Sequence, residues 1–168
     1  MKKATKIMIA VLLVLVAAAF PLYFAVHPQG ASETAIQIKG KVGNPANFTL
    51  AEFGALPKLT IEATLASSSH LDEMGTFNFT GVSLWSLLEQ CNVSESASIV
   101  YVQAIDGYGA SLTIEEAKQN TQILLCYQKN GEFLKPRSEG GAGPIRLMIA
   151  SDEYAQRWVK NVAVIEVK

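Results

Sequence analysis

The chain has 168 residues, with 14 Lys and Arg against 15 Asp and Glu and a formal net charge of −1. That length suits one folded domain. The balance of charge argues against a nucleic-acid partner, so any anion site must be a local pocket and not a global field.

Lys2, Lys3 and Lys6 precede an uncharged apolar run from Ile7 to Val26. A basic segment followed by a hydrophobic one is an export signal, and twenty apolar residues are also enough to span a bilayer. Ala17, Ala18 and Ala19 offer small residues for a signal peptidase, but cutting there leaves "FPLYFAV" as an apolar new terminus. An uncleaved anchor is favoured over a cleaved signal. Residues 1–33 are therefore expected to be a signal peptide or membrane anchor plus the tether "HPQGASET". Residues 34–168 are expected to be a domain outside the cytoplasmic membrane, either anchored or released. That part carries 11 basic against 15 acidic residues, or −4.

"AIQIKGKV" alternates and reads as a strand, and Gly43-Asn44-Pro45 as a turn. Thr49 and Glu52 match a capping box that opens a short helix to about Leu56. "KLTIEATLA" puts Leu59, Ile61, Ala63 and Leu65 on one side of a strand. Ser67 to Gly75 is a polar loop, and "TFNFT" a short strand. Ser83 suits the N-cap of a helix whose Leu84, Leu87, Leu88 and Cys91 share a face. "SIVYVQA" is a strand that "DGYG" turns round, and Thr113 with Glu116 repeats the capping-box pattern. "QILLCYQKNGEFL" is a hairpin in which Asn130-Gly131 suits a type I′ turn. "IRLMIA" and "VKNVAVIEV" are the last strands. About seven strands and three short helices in mixed order imply an α+β, mostly β fold.

Three groups of residues could carry chemistry. Arg146 sits in an apolar strand, followed by Arg157 and Lys160. Two guanidinium forks and an ammonium suit a phosphate or carboxylate, and the preceding "GGAG" would let the backbone approach a ligand. Alternation puts Arg146 opposite Leu147 and Ile149, facing a cleft. The plainer reading makes them surface cations, paired with Asp152 or Glu153. Tyr108, between two glycines, is either a packed turn aromatic or a phenol presented to a cleft. "SSSHLDE" holds His70, Asp72 and Glu73, where His70 is a base, a ligand or a solvated loop residue. Cys91 and Cys126 could pair in an oxidising compartment, and both also suit small buried positions. Without a CxxC, and with His70 the only histidine beyond tether-region His27, a zinc site is not expected.

In order along residues 79–167, "FTGVSLWSLLEQCNV", "DGYGASLTIEEA", "ILLCYQKNGEFL" and "GPIRLMIASDEYAQRWVKNVAVIEV" resemble successive segments of the molybdopterin-binding domain of the sulfite oxidase family. "GKVGNPANFTL" resembles its opening strand and turn. The resemblance covers nearly all of residues 36–168 and implies that family's mixed-sheet fold. It implies that Arg146, Arg157 and Lys160 hold the phosphate and polar edge of a molybdopterin cofactor. Tyr108 falls where a tyrosine stands near the metal, a catalytic position. The family's metal-ligating Cys precedes the T-G-V segment. Here no Cys lies between residues 36 and 90. Ser69 or His70 stands roughly in its place, and His70 is carried as a cofactor-binding position. Gly141 replaces a family histidine. No thiolate-bound metal is therefore expected, and no metal ligand is assigned.

Two functions are compatible with these residues. One is an exported molybdopterin-oxidoreductase-like domain that binds a pterin or other anionic small molecule, with the missing Cys arguing against a redox centre of the family's type. The other is a non-catalytic ligand- or protein-binding module on the same scaffold. The N-terminal segment makes the membrane the further partner.

Overall fold

A computed structural model describes residues 34–67 and 74–168. Ten strands and three short helices occur among them. The strands are β1 (Thr34–Gly40), β2 (Ala46–Thr49), β3 (Leu59–Leu65), β4 (Gly75–Ser83), β5 (Ile99–Ala104), β6 (Gly109–Thr113), β7 (Ile123–Lys129), β8 (Glu132–Phe133), β9 (Arg146–Ile149) and β10 (Val162–Val167). The helices are α1 (Leu50–Ala55), α2 (Leu84–Gln90) and α3 (Ile114–Gln119). Short 3-10 turns cover Arg137–Glu139 and Ala155–Arg157. No described helix is long and apolar enough to cross a membrane. The leader, Ser69, His70, Asp72 and Glu73 lie outside the described residues.

Two five-stranded sheets form the domain. One runs β2-β1-β10-β5-β6, and the other β3-β4-β7-β8 with β9 also on β7. β1 and β10 are parallel, which brings the first and last described strands side by side. Alternation supplies the core from the first sheet: Ile36 and Ile38, Val100 and Val102, and Ile165 and Val167 are buried. Phe79, Leu124 and Leu125 enter the same cluster from the second. Phe79 also meets Trp158 edge to face at 5.5 Å, an arrangement that ring quadrupoles favour.

Local chemistry sets several boundaries. In α1, Thr49 Oγ1 accepts from the Glu52 N–H and the Glu52 carboxylate accepts from the Thr49 N–H, at 3.2 and 2.9 Å. Ser83 caps α2, which buries Leu84, Leu87 and Leu88. Asn130 and Gly131 have φ of 52° and 83°, the pair of positive angles a type I′ hairpin needs.

Ten strands stand against the seven or so expected, and β2 and β6 are the ones a sequence reading does not name. β2 and β6 are only four and five residues long, and in β6 the alternation rests on just Ala110 and Leu112. β9 also differs from simple alternation, since all four of its residues are buried. β7 pairs with it on one side. On the other side the Leu147 N–H donates to the Val159 carbonyl at 2.9 Å.

Candidate functional site

Arg146 lies opposite Cys126 in the β7–β9 pair and is only 5% exposed. Its guanidinium carbon is 5.3 Å from the centroid of the Trp158 ring. Trp158 is fixed in turn, because its Nε1–H donates to the Ile149 carbonyl at 2.9 Å. A desolvated guanidinium over an indole face is a favourable cation–π contact. Arg146 is thus a core cation, not one facing an open cleft. The side chain has further interactions as well.

Arg157 ends the 3-10 turn Ala155–Arg157. Its Nε donates to Asp152 Oδ2 at 3.0 Å and its Nη2 to Asp152 Oδ1 at 2.5 Å. Nη1 meets Glu116 Oε1 at 2.8 Å. The fork pairs with one carboxylate and the remaining nitrogen with a second. The Asp152 hydrogen bonds, and after them the Glu116 bond, push the Arg157 pKa up against partial desolvation. Asp152 is one of the two carboxylates that the plainer reading named. Lys160 is half-buried, just beyond Trp158 and Val159.

Tyr108 is 54% exposed, and its phenol donates to the Gln156 carbonyl at 2.5 Å. The β5–β6 turn is thereby joined to the residue beside Arg157. The turn has its own brace. Asp106 Oδ1 accepts from the Tyr108 N–H at 3.1 Å, while Oδ2 pairs with Arg137 Nη1 at 2.7 Å. The Tyr108 N–H, then Arg137, hold the Asp106 carboxyl below its ordinary range. From the other side, the Ala155 N–H donates to the Ala66 carbonyl at 2.9 Å. The structure therefore gathers Tyr108, Arg157 and the end of β3 around one 3-10 turn.

The "GGAG" loop serves packing, not close approach to a ligand. A Cβ on Gly141 would fall 1.9 Å from the Lys135 carbonyl oxygen, and one on Gly143 would fall 2.5 Å from that of Leu134. The chain itself fills the space, and the family's histidine has no room at Gly141 in this arrangement. Asn161 closes the loop. At φ 53°, its Nδ2 donates to the Gly141 and Gly143 carbonyls at 3.1 and 2.6 Å.

Both cysteines are buried free thiols. Burial pushes the Cys126 pKa up to about 12, and its Sγ–H donates to the Arg146 carbonyl at 3.3 Å. Burial raises that of Cys91 as well. Among the described residues no three of His, Cys, Asp and Glu gather into a metal-binding group. A polar cavity of about 440 Å³ beside Asp152 is bounded by Glu62 and Glu153, so its sign suits a cation better than an anion.

Arg137 and Glu116 escape a sequence reading. Nothing about Arg137 singles it out, and Glu116 already has a local explanation as a capping residue. Their partners, Asp106 and Arg157, are remote in the chain.

The family model described as the oxidoreductase molybdopterin binding domain matches residues 24–168. The chain belongs to that family. No curated protein matches it in sequence. Among solved structures it is similar to the sulfane dehydrogenase SoxCD from Paracoccus pantotrophus, with a TM-score of 0.69 and 21% identity. The match covers 82% of this chain and 39% of that one. At that identity the likeness speaks for the fold, which is the sulfite oxidase-type molybdopterin-binding fold.

For a phosphate-bearing pterin, the cationic charges of Arg146 and Lys160 have the right sign. Arg157 does not fit that role as it stands, because two carboxylates already sit against its three nitrogens.

Proposed function

We propose that this chain is an exported, membrane-tethered domain that binds a molybdopterin-type cofactor, or an anionic small molecule of similar chemistry, outside the cytoplasmic membrane. The observation that carries the reading is the match to the molybdopterin-binding family over residues 24–168. Within that match the chain keeps a guanidinium at Arg146, in its "GPIR" segment, and builds it into the core over Trp158. Lys160 and His70 are the further ligand contacts, with Tyr108 at the rim. The metal, where bound, is held without a protein thiolate. Both cysteines are buried thiols, and a Cys126 pKa near 12 keeps that sulfur protonated at neutral pH.

The second reading, a non-catalytic ligand- or protein-binding module, draws on two observations. One is the absence of Cys between residues 36 and 90. The other is the pair of carboxylates on Arg157. Purification of the full chain from a host that makes the cofactor tests both. Molybdenum analysis and fluorescence of the oxidised pterin should detect cofactor, and Cys91→Ser and Cys126→Ser should retain it. Folded protein with neither metal nor pterin would favour the module. Loss of metal in a folded Cys variant would overturn the thiolate-free site. Fractionation tests the tether: the chain should sediment with membranes, and a cytoplasmic chain with an intact leader would refute export.

A further inference from the structure

We infer that Asp152 and Glu116 are specificity-determining residues, which close the Arg157 position to a phosphate dianion. This deepens the proposed function and rests on its reading of the rim as a ligand site.

The first support is occupation of all three nitrogens of the donor fork. Nε, Nη2 and Nη1 of Arg157 each have a carboxylate oxygen within 3.0 Å. A bidentate Asp152 occupies the edge that a phosphate would take. The second is charge. One guanidinium and two carboxylates leave a local charge of −1, so a dianion approaching Arg157 meets net repulsion. These groups are only partly exposed, so solvent screens the repulsion incompletely.

The third support is the choice Glu116 makes. It stands at the third position of α3, where a glutamate can return a bond to the N-cap N–H. Glu52 does so at α1. At α3 the Thr113 hydroxyl accepts from the Glu116 N–H at 3.0 Å, but the Glu116 carboxylate turns to Arg157. A local bond has been exchanged for a long-range one, as expected if that ion pair is part of the site's design.

The 3-10 turn does not depend on the ion pairs alone. The Tyr108 phenol and the Ala66 carbonyl hold it as well. Opening the latch should therefore expose the guanidinium without unfolding its support. The closed rim offers a ligand carboxylate oxygens, which complement an edge bearing N–H donors.

The test is titration of the full chain in detergent with inorganic phosphate, followed by the Arg157 Nε–H signal in 15N NMR. The wild type should bind weakly or not at all at Arg157. Asp152→Asn should bind about tenfold or more tightly, since it removes the adjacent charge and the bidentate competitor. Glu116→Gln should gain less, and Asp152→Asn with Arg157→Gln should lose the gain. Thermal melting confirms that each variant is folded, and Glu116→Gln serves if Asp152→Asn is not. Wild-type phosphate binding at Arg157 equal to that of Asp152→Asn would overturn the latch. If the wild type binds phosphate, Lys160→Gln abolishes it and Asp152→Asn changes nothing, the ligand site stands and the latch falls. If no folded variant binds phosphate, both fall.

Discussion

Helices α1 and α3 begin on the same four-residue signal, Thr-x-x-Glu, and spend the glutamate differently. At α1 the bonds are reciprocal and local: Thr49 takes the Glu52 N–H, and Glu52 takes the Thr49 N–H. At α3 only the first half is present among the described residues. The Glu116 carboxylate reaches Arg157 instead, beside Asp152. The α1 glutamate stabilises its own helix, whereas the α3 glutamate fastens a distant turn at the candidate site. The same local motif therefore gives different tertiary structure, depending on whether a cation comes within reach.

If long-range ties outweigh the local caps, the largest loss should be at Asn161→Ala, because Asn161 holds the Gly141–Gly143 loop. That change removes two donors to otherwise enclosed carbonyls and puts alanine at φ 53°. It should cost about 2–4 kcal/mol in denaturant unfolding. A loss no larger than at a cap would break the comparison.

Arg157→Gln comes next, at about 1–2 kcal/mol. Charged hydrogen bonds are worth more than neutral ones, but this side chain is 39% exposed and partly screened. The freed Glu116 should then find the Thr113 N–H, which would appear as new amide protection at the start of α3.

Thr49→Ala and Thr113→Ala should each cost about 1 kcal/mol as lost N-caps. Double-mutant cycles sharpen the contrast. Thr49 and Glu52 should couple more strongly than Thr113 and Glu116, while Glu116 should couple to Arg157. Equal coupling in both helices would mean that Glu116 still acts as a cap.

The smallest effect is that of acid on α1. The Thr49 N–H and hydroxyl hold the Glu52 carboxyl below its ordinary value. A lowered folded pKa adds stability above the unfolded glutamate range, and that stability is lost as pH falls through the folded value. Glu52→Gln should flatten this part of the melting-temperature profile below neutral pH. An unchanged acid limb would show that the capping box is not closed in solution.

Much of the scaffold was legible in the chain. Thr49, Ser83 and Thr113 marked helix starts, and Asn130-Gly131 marked the hairpin, because the groups involved lie within four residues of one another. β2 and β6 were not, since four or five residues carry little period. Arg146 was recognised as unusual, but its burial was not foreseen. Alternation assumes a strand covered on one face, and β9 is enclosed by β7 and by the chain at Val159. The site was legible as a set of residue types and not as a set of contacts. Asp152, five residues from Arg157, was within reach of a local argument. Glu116 and Arg137 were not, because their partners come from other elements.

The sequence by itself determined the mostly β class, the family and the positions where cations and a phenol stand, since these follow from local pattern and motif order. It also set the charge balance that leaves only a local site for an anion. Tertiary structure alone decided how those residues are used. It put the Arg146 guanidinium over Trp158, filled the space beside Gly141 with the chain's own carbonyl, and brought two carboxylates to Arg157. The physical reason is range. Backbone capping and alternation act between neighbours in the chain, whereas burial and ion pairing act between whatever groups the fold brings within a few ångströms.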